Sequence, residues 1–99
     1  MAGLGLSSDD RWLEEQSRGA PDALRERVMS YVAGRQGPLP ERLAGAARAA
    51  LDAVLARPGD RSVALDLLTA DALVTLALKA QAARDPGLLA GFAGELLGA

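Results

Sequence analysis

The chain has 99 residues, a net charge of −2 from 11 basic and 13 acidic side chains, and neither histidine nor cysteine. That length accommodates one domain with a single hydrophobic core. The composition excludes disulfide bonds and thiol chemistry, and it lacks the commonest general base and metal ligand of proteins.

The first third of the chain predicts a loose segment followed by two helices. Residues 1–7 are rich in glycine and are expected to be a loose N-terminus. A first helix follows, capped by Ser7 or Ser8. A second helix is expected from Pro21, which suits a first helical turn, to about Ala33.

The remainder predicts three more helices and no strand, because β-branched residues are few and never alternate. Pro40 begins a third helix that ends near Ala56, a fourth helix spans 63–84, and a short last helix runs from Leu88 to about Leu97. The third helix is amphipathic. The apolar residues expected to share its buried face are Leu43, Ala47, Ala50, Leu51, Val54 and Leu55.

The fourth helix is apolar on two opposite sides. At about 100° per residue, one side carries Val63, Leu67, Val74 and Leu78, and the other carries Leu65, Ala72, Leu76 and Ala83. A surface helix needs only one apolar stripe, so we predict a central helix whose second side meets another copy of the chain. The alternative is that the chain's own helices cover both sides. The residues expected at the interface are Leu65, Leu68, Ala72, Leu76, Phe92, Leu96, Leu97 and Trp12.

Three polar residues of the fourth helix follow one another at intervals of four. Asp71, Thr75 and Lys79 form a narrow stripe between the two apolar sides. They are candidates for a small ligand site in which Lys79 binds an anion, although a solvated stripe explains the same spacing. Asp66 lies elsewhere on this helix, where we expect it to be exposed or to act as a cap.

Four carboxylates are grouped on the first helix, at Asp9, Asp10, Glu14 and Glu15. Such a group could bind a divalent cation, which requires several oxygen ligands. Carboxylates at a helix start also interact favourably with the helix dipole, and this is the interpretation we adopt. We predict no metal and no cofactor.

The segment Gly59-Asp60-Arg61-Ser62-Val63 resembles the Asp-Ser-Leu attachment site of acyl carrier proteins, which are also small, acidic and helical. The resemblance covers five residues and implies a carrier in which Ser62 holds the acyl arm. In this chain Arg61 separates the acid from the serine. A capping role for Asp60 or Ser62 at the fourth helix accounts for the same residues, and we favour it.

Nucleic-acid binding and membrane insertion are not expected. Helices two and three could be taken for a helix-turn-helix pair, but Arg48 would then face DNA beside Glu41 and Asp52. The most apolar window contains Asp66, Asp71 and Lys79, and each charge costs about 2.5–3.5 kcal/mol at the centre of a membrane helix. The N-terminus lacks a secretion signal, so we expect a cytoplasmic protein.

Together these observations predict an all-α protein, a single domain over 1–99 built as a compact bundle of four or five helices around a long fourth helix. We expect a non-catalytic interaction or adaptor module that forms a homodimer or binds another protein. The alternative is a carrier of an apolar acyl, prenyl or pigment-like ligand held between helices. An enzyme is not expected, because these residues supply no pairing of nucleophile and base.

Overall fold

A computed structural model of the chain describes residues 7–98. Within that range it contains five α-helices and one 3-10 turn, which confirms the all-α prediction. They are α1 (Ser8–Gln16), α2 (Asp22–Val32), α3 (Leu39–Ala56), α4 (Val63–Arg84), the 3-10 turn (Pro86–Leu88) and α5 (Leu89–Leu96). The prediction of a loose N-terminus falls almost wholly on residues 1–6, which lie outside the described residues.

Side-chain caps were predicted at the starts of α1 and α4. Ser7 caps α1 as predicted, because its hydroxyl accepts a hydrogen bond of 3.1 Å from the backbone N–H of Asp10. A cap by Asp60 or Ser62 was predicted for α4; Ser62 occupies the N-cap position, but its side chain makes no capping hydrogen bond. Its backbone N–H and its hydroxyl instead donate to the Asp60 carboxylate, at 2.9 and 3.1 Å. These two bonds favour the ionised carboxylate and lower the pKa of Asp60.

Helices α3 and α4 form the centre of the bundle. Because only residues 57–62 connect them and they pack along each other, they run antiparallel. Helix α2 contacts both, and the 3-10 turn and α5 return along the second half of α4. The buried apolar side chains come from α1 to α4 and are Leu13, Val28, Val32, Leu39, Leu43, Ala46, Ala47, Ala50, Ala70, Leu73, Leu76, Ala77 and Ala80.

Helix α4 spans the predicted residues but buries a different face from either predicted one. Its buried positions are Asp66, Thr69, Ala70, Leu73, Leu76, Ala77, Ala80 and Gln81. At about 100° per residue their mean direction lies between the two apolar sides inferred from the sequence. Those two sides are therefore the flanks of one broad buried face, with α3 in front of it.

Candidate interaction surfaces

The second apolar side of α4 is mostly covered by the chain itself. Leu76 is only 7% exposed and Ala72 is half-buried. Both line a small cleft whose other walls are the end of α1 and the first half of α2. Leu65 is half-buried, and Leu68 remains 59% exposed. Leu76 is therefore not available to a partner as the predicted interface requires, whereas Ala72 and Leu65 are only partly covered.

The predicted interface residues outside α4 are also partly occupied by intramolecular packing. Trp12, Phe92 and Leu96 are half-buried and pack against the core. Trp12 also lines an open cleft beside Pro38. Among the candidates beyond α4, Leu97 is the most open, at 67% exposure. Leu97 therefore places accessible apolar surface just after α5, while Leu68 on α4 and Leu88 in the 3-10 turn are exposed elsewhere, at 59% and 62%.

A second group of exposed leucines lies where α5 stops. Helix α5 has only eight residues, about 12 Å of helix, against 22 residues in α4, about 33 Å. It packs against part of α4, and an open cleft lined by Glu41, Ala44, Gly45 and Arg48 lies between it and the first half of α3. The leucines left uncovered are Leu51 (40% exposed), Leu55 (76%), Leu67 (53%) and Leu97 (67%). We call these four residues the distal patch.

The contacts of Arg48 place the α3 members of the distal patch on the α5 side of the bundle. Its Nη2 donates to the carbonyl oxygens of Glu95 and Leu96, each at 3.5 Å. Leu51 and Leu55 follow Arg48 by three and seven residues and so share its side of α3. The same contact brings Leu97, the next residue of the chain, close to this side.

A seven-residue spacing places Leu67, the α4 member of the distal patch, on the side of α4 that faces α5. Leu67, Val74 and Gln81 lie within about 40° of one another around the helix. Gln81 lines the cleft between α4 and α5, and Val74 packs against the core. Leu67 continues the same side beyond the end of α5.

The predicted burial of Leu51 and Leu55 on α3 was wrong, because both lie about 80–120° from the buried direction marked by Leu43.

Asp66 lies at the centre of the buried face of α4, which corrects the prediction that it is exposed or a cap. Its carboxylate is 0% exposed and is held from three directions. Arg57 Nη2 lies 2.8 Å from Oδ2, Arg27 Nη1 lies 3.2 Å from Oδ1, and the Tyr31 hydroxyl donates to Oδ1 at 3.3 Å. Asp66 thereby joins α2, the end of α3 and α4.

The Asp66 cluster also sets the protonation of Tyr31. Burial raises the pKa of the Tyr31 phenol, and the neighbouring Asp66 charge and its hydrogen bond raise the pKa further. The sequence carried one signal for this cluster, since Asp66 falls among Thr69, Ala70 and Leu73 on the helical wheel. Its arginine partners are distant in sequence and left no local pattern.

The predicted polar stripe on α4 is exposed and does not form an enclosed site. The Thr75 hydroxyl donates to the backbone carbonyl of Asp71 at 3.0 Å, which is a bond within the helix. Lys79 Nζ instead donates to Gln16 Oε1 of α1 at 3.4 Å. Lys79 therefore contributes to attaching α1, and Asp71 does not contact it through any of the hydrogen bonds or ion pairs of the described residues.

Comparison with known protein families, curated proteins and solved structures finds no match to this chain. Across residues 7–98, no helix is both long enough and apolar enough to cross a membrane. Over the same part of the chain, which has no histidine or cysteine, the acidic side chains form no group of three placed to hold a metal ion.

Proposed function

We propose that this protein is a small non-catalytic interaction module that forms a homodimer through the distal patch. The observation that carries the proposal is the grouping of Leu51, Leu55, Leu67 and Leu97, four large apolar side chains exposed at one end of the bundle. Single exposed leucines are ordinary on protein surfaces. A contiguous group of them on three helices is typical of an interaction site.

The distal patch has features that favour packing against a second copy of the chain. Leu51 and Leu55 lie one helical turn apart and form a ridge that can pack against its own symmetry mate in a two-fold dimer. Arg48 and Asp52 lie next to the ridge and carry opposite charges, so their surroundings do not repel an identical surface. A leucine centre with a polar rim is the usual anatomy of a protein interface.

The size of the interface limits what the patch can do alone. A stable dimer buries about 800 Å² on each partner, which is more than four leucine side chains provide. The contact therefore includes the polar rim and the adjoining surface of α3 and α4. In this arrangement two α3–α4 pairs form a four-helix contact, with the leucines at its centre.

The test is the mass of the protein in solution, measured by light scattering and by native mass spectrometry over a range of concentrations. We expect wild type at twice 10.2 kDa. Leu55→Asp is expected to weaken the dimer about 100-fold, because the carboxylate would be buried without a partner. Leu55 is 76% exposed, so the variant should keep its helical circular dichroism spectrum.

Leu68→Asp is the matched control, because Leu68 is similarly exposed but lies outside the distal patch. It is expected to remain dimeric. A dimer that Leu68→Asp dissociates and Leu55→Asp leaves intact would contradict the proposed surface. A monomeric wild type that carries an additional bound mass of a few hundred daltons would instead favour the ligand-carrier hypothesis.

A further inference from the structure

A groove of about 580 Å³ lies between α1 and α2, on helices that do not contribute to the distal patch. Its floor contains Leu13, which is fully buried, and Met29, which is 40% exposed. Ser17 closes the end at the turn between the two helices. The groove is open to solvent, and six of its eight lining residues are polar or charged.

Carboxylates lie along both sides of this groove. Asp10 and Glu14 are one helical turn apart on α1, and Asp22 and Glu26 are one turn apart on α2. The groove contains a single cation, Arg25, whose Nη1 is already engaged by Asp22 Oδ1 at 3.4 Å. Its net negative charge exceeds that of the whole chain, which is −2. The field in the groove therefore favours a cationic occupant.

Exposed apolar surface at Met29 distinguishes this groove from a simple cation site. Met29 is 40% exposed and offers a hydrophobic contact beside the carboxylates, whereas Leu13 is fully buried. Methionine is flexible and polarisable, and it is frequent on surfaces that accept varied apolar side chains. The four carboxylates are spread along two helices, and no group of three acidic side chains in residues 7–98 is placed to hold a metal ion.

We propose that the α1–α2 groove binds a cationic amphipathic segment of a partner protein. One apolar side chain of that segment packs on Met29. Lysines or arginines on either side of it meet the carboxylate rows. Binding of an amphipathic helix in a groove with complementary charge is a general mode of peptide recognition. The inference does not depend on the homodimer, and it adds a partner class to the interaction module.

The test uses a fluorescent peptide with leucines at helical spacing and lysines elsewhere, titrated with the full-length protein and followed by anisotropy. We expect micromolar binding that weakens as salt is raised, because exposed charges are screened. A peptide with serine in place of leucine is expected to bind at least about tenfold more weakly. Chemical shift changes in a ¹⁵N-labelled sample should map to α1 and α2.

Two sets of variants identify the groove. Glu14→Gln with Glu26→Gln is expected to weaken binding about tenfold, since each exposed charge pair contributes up to about 1 kcal/mol. Met29→Ser should weaken it by a similar factor. The matched control, Glu15→Gln with Asp71→Asn, makes the same change in net charge outside the groove and should leave the affinity within about twofold.

Three results would overturn the inference. The first is binding no tighter than millimolar, and the second is equal weakening by the control pair, which would indicate diffuse charge attraction. The third is equal binding of the serine peptide or of spermidine, which would indicate a site for polycations without apolar recognition. Leu55→Asp should bind the peptide like wild type, so failure of the dimer and failure of the groove are separate outcomes.

Discussion

At the level of single residues, Asp66 is the most constrained polar group in the described part of the chain. It is completely buried, yet both of its partner guanidinium groups keep contact with solvent, with side-chain exposures of 35% for Arg27 and 47% for Arg57. The ion pairs are therefore asymmetric. If the carboxylate is removed, the arginines turn to water, whereas removal of the arginines leaves a buried charge with no counter-ion and only the Tyr31 hydrogen bond.

This asymmetry predicts the order of two stability losses. Asp66→Asn is expected to lower the free energy of unfolding by about 1–3 kcal/mol, since it loses the charge but keeps a polar group. Arg27→Gln with Arg57→Gln is expected to cost more, about 3–5 kcal/mol, because Asp66 stays buried and unpaired. Urea denaturation followed by circular dichroism measures both, and Arg11→Gln with Arg18→Gln is the exposed control. A larger loss for Asp66→Asn would contradict this account.

The raised pKa of Tyr31 predicts that the free energy of unfolding depends on pH in the alkaline range. Its pKa is raised in the folded protein above the ordinary value of 10.0, so the unfolded chain releases the phenolic proton first. The stability that this group contributes is complete below pH 10 and is lost as the pH rises through the folded pKa. Because Tyr31 is the only tyrosine, tyrosinate absorbance reports it directly.

We expect the absorbance midpoint of folded wild type to lie above that of the urea-unfolded chain. Tyr31→Phe should lose less stability than wild type between pH 9 and pH 11. Identical tyrosinate midpoints in the folded and unfolded states would show that Tyr31 is not held by Asp66 as described.

At the level of helices, α5 is the least favourable sequence in the bundle. It has eight residues with two internal glycines, and none of its side chains is fully buried. Glycine in a helix interior costs about 1 kcal/mol relative to alanine. Helix α5 therefore depends on contacts of Phe92 and Leu96 with the core and on Arg48 at its last carbonyl groups.

Gly91→Ala is expected to stabilise the protein by about 0.5–1 kcal/mol, because a Cβ at this helical position meets nothing within 4 Å. Gly59→Ala is the matched control. It also meets no neighbour, but its φ of +88° is unfavourable for a side chain, so it should destabilise by about 1–2 kcal/mol. Thermal unfolding of both variants at one protein concentration measures the pair. Stabilisation by both would contradict the assigned backbone geometry at Gly59.

Sequence patterns predicted the positions of the helices better than other features of the structure. The predicted limits of α4 match the structure, because the Pro58-Gly59 and Asp85-Pro86-Gly87 steps interrupt the backbone on both sides. The buried face of α4 was not found, since residues between the two apolar sides include Asp66, Thr69 and Gln81, which are polar. Helical periodicity identifies a buried face from the spacing of its hydrophobic residues. It therefore misses a polar residue whose burial is made possible by arginines elsewhere in the chain.

At the level of the whole molecule, the all-helical bundle followed from local signals, but the accessible surface did not. Leu51 and Leu55 look like core residues in the pattern of α3. They are exposed because α5 is too short to reach them, which depends on how three helices are arranged in space. For the same reason the pattern of α4 could not show that α1 and α2 cover Leu76. The homodimer and the ligand-carrier alternative remain predictions that the solution mass will test.

The position of Asp66 also affects which chain segments can occupy the bundle. The face of α4 that surrounds it is rich in alanine and leucine, so many amphipathic helices could pack there on hydrophobicity alone. A helix that replaced α2 without an arginine at the position of Arg27 would leave the buried carboxylate undercompensated, at a cost of several kcal/mol. The charge thus discriminates against a helix of a different protein that lacks such an arginine, whereas α2 of an identical chain carries the same Arg27 and would satisfy the carboxylate.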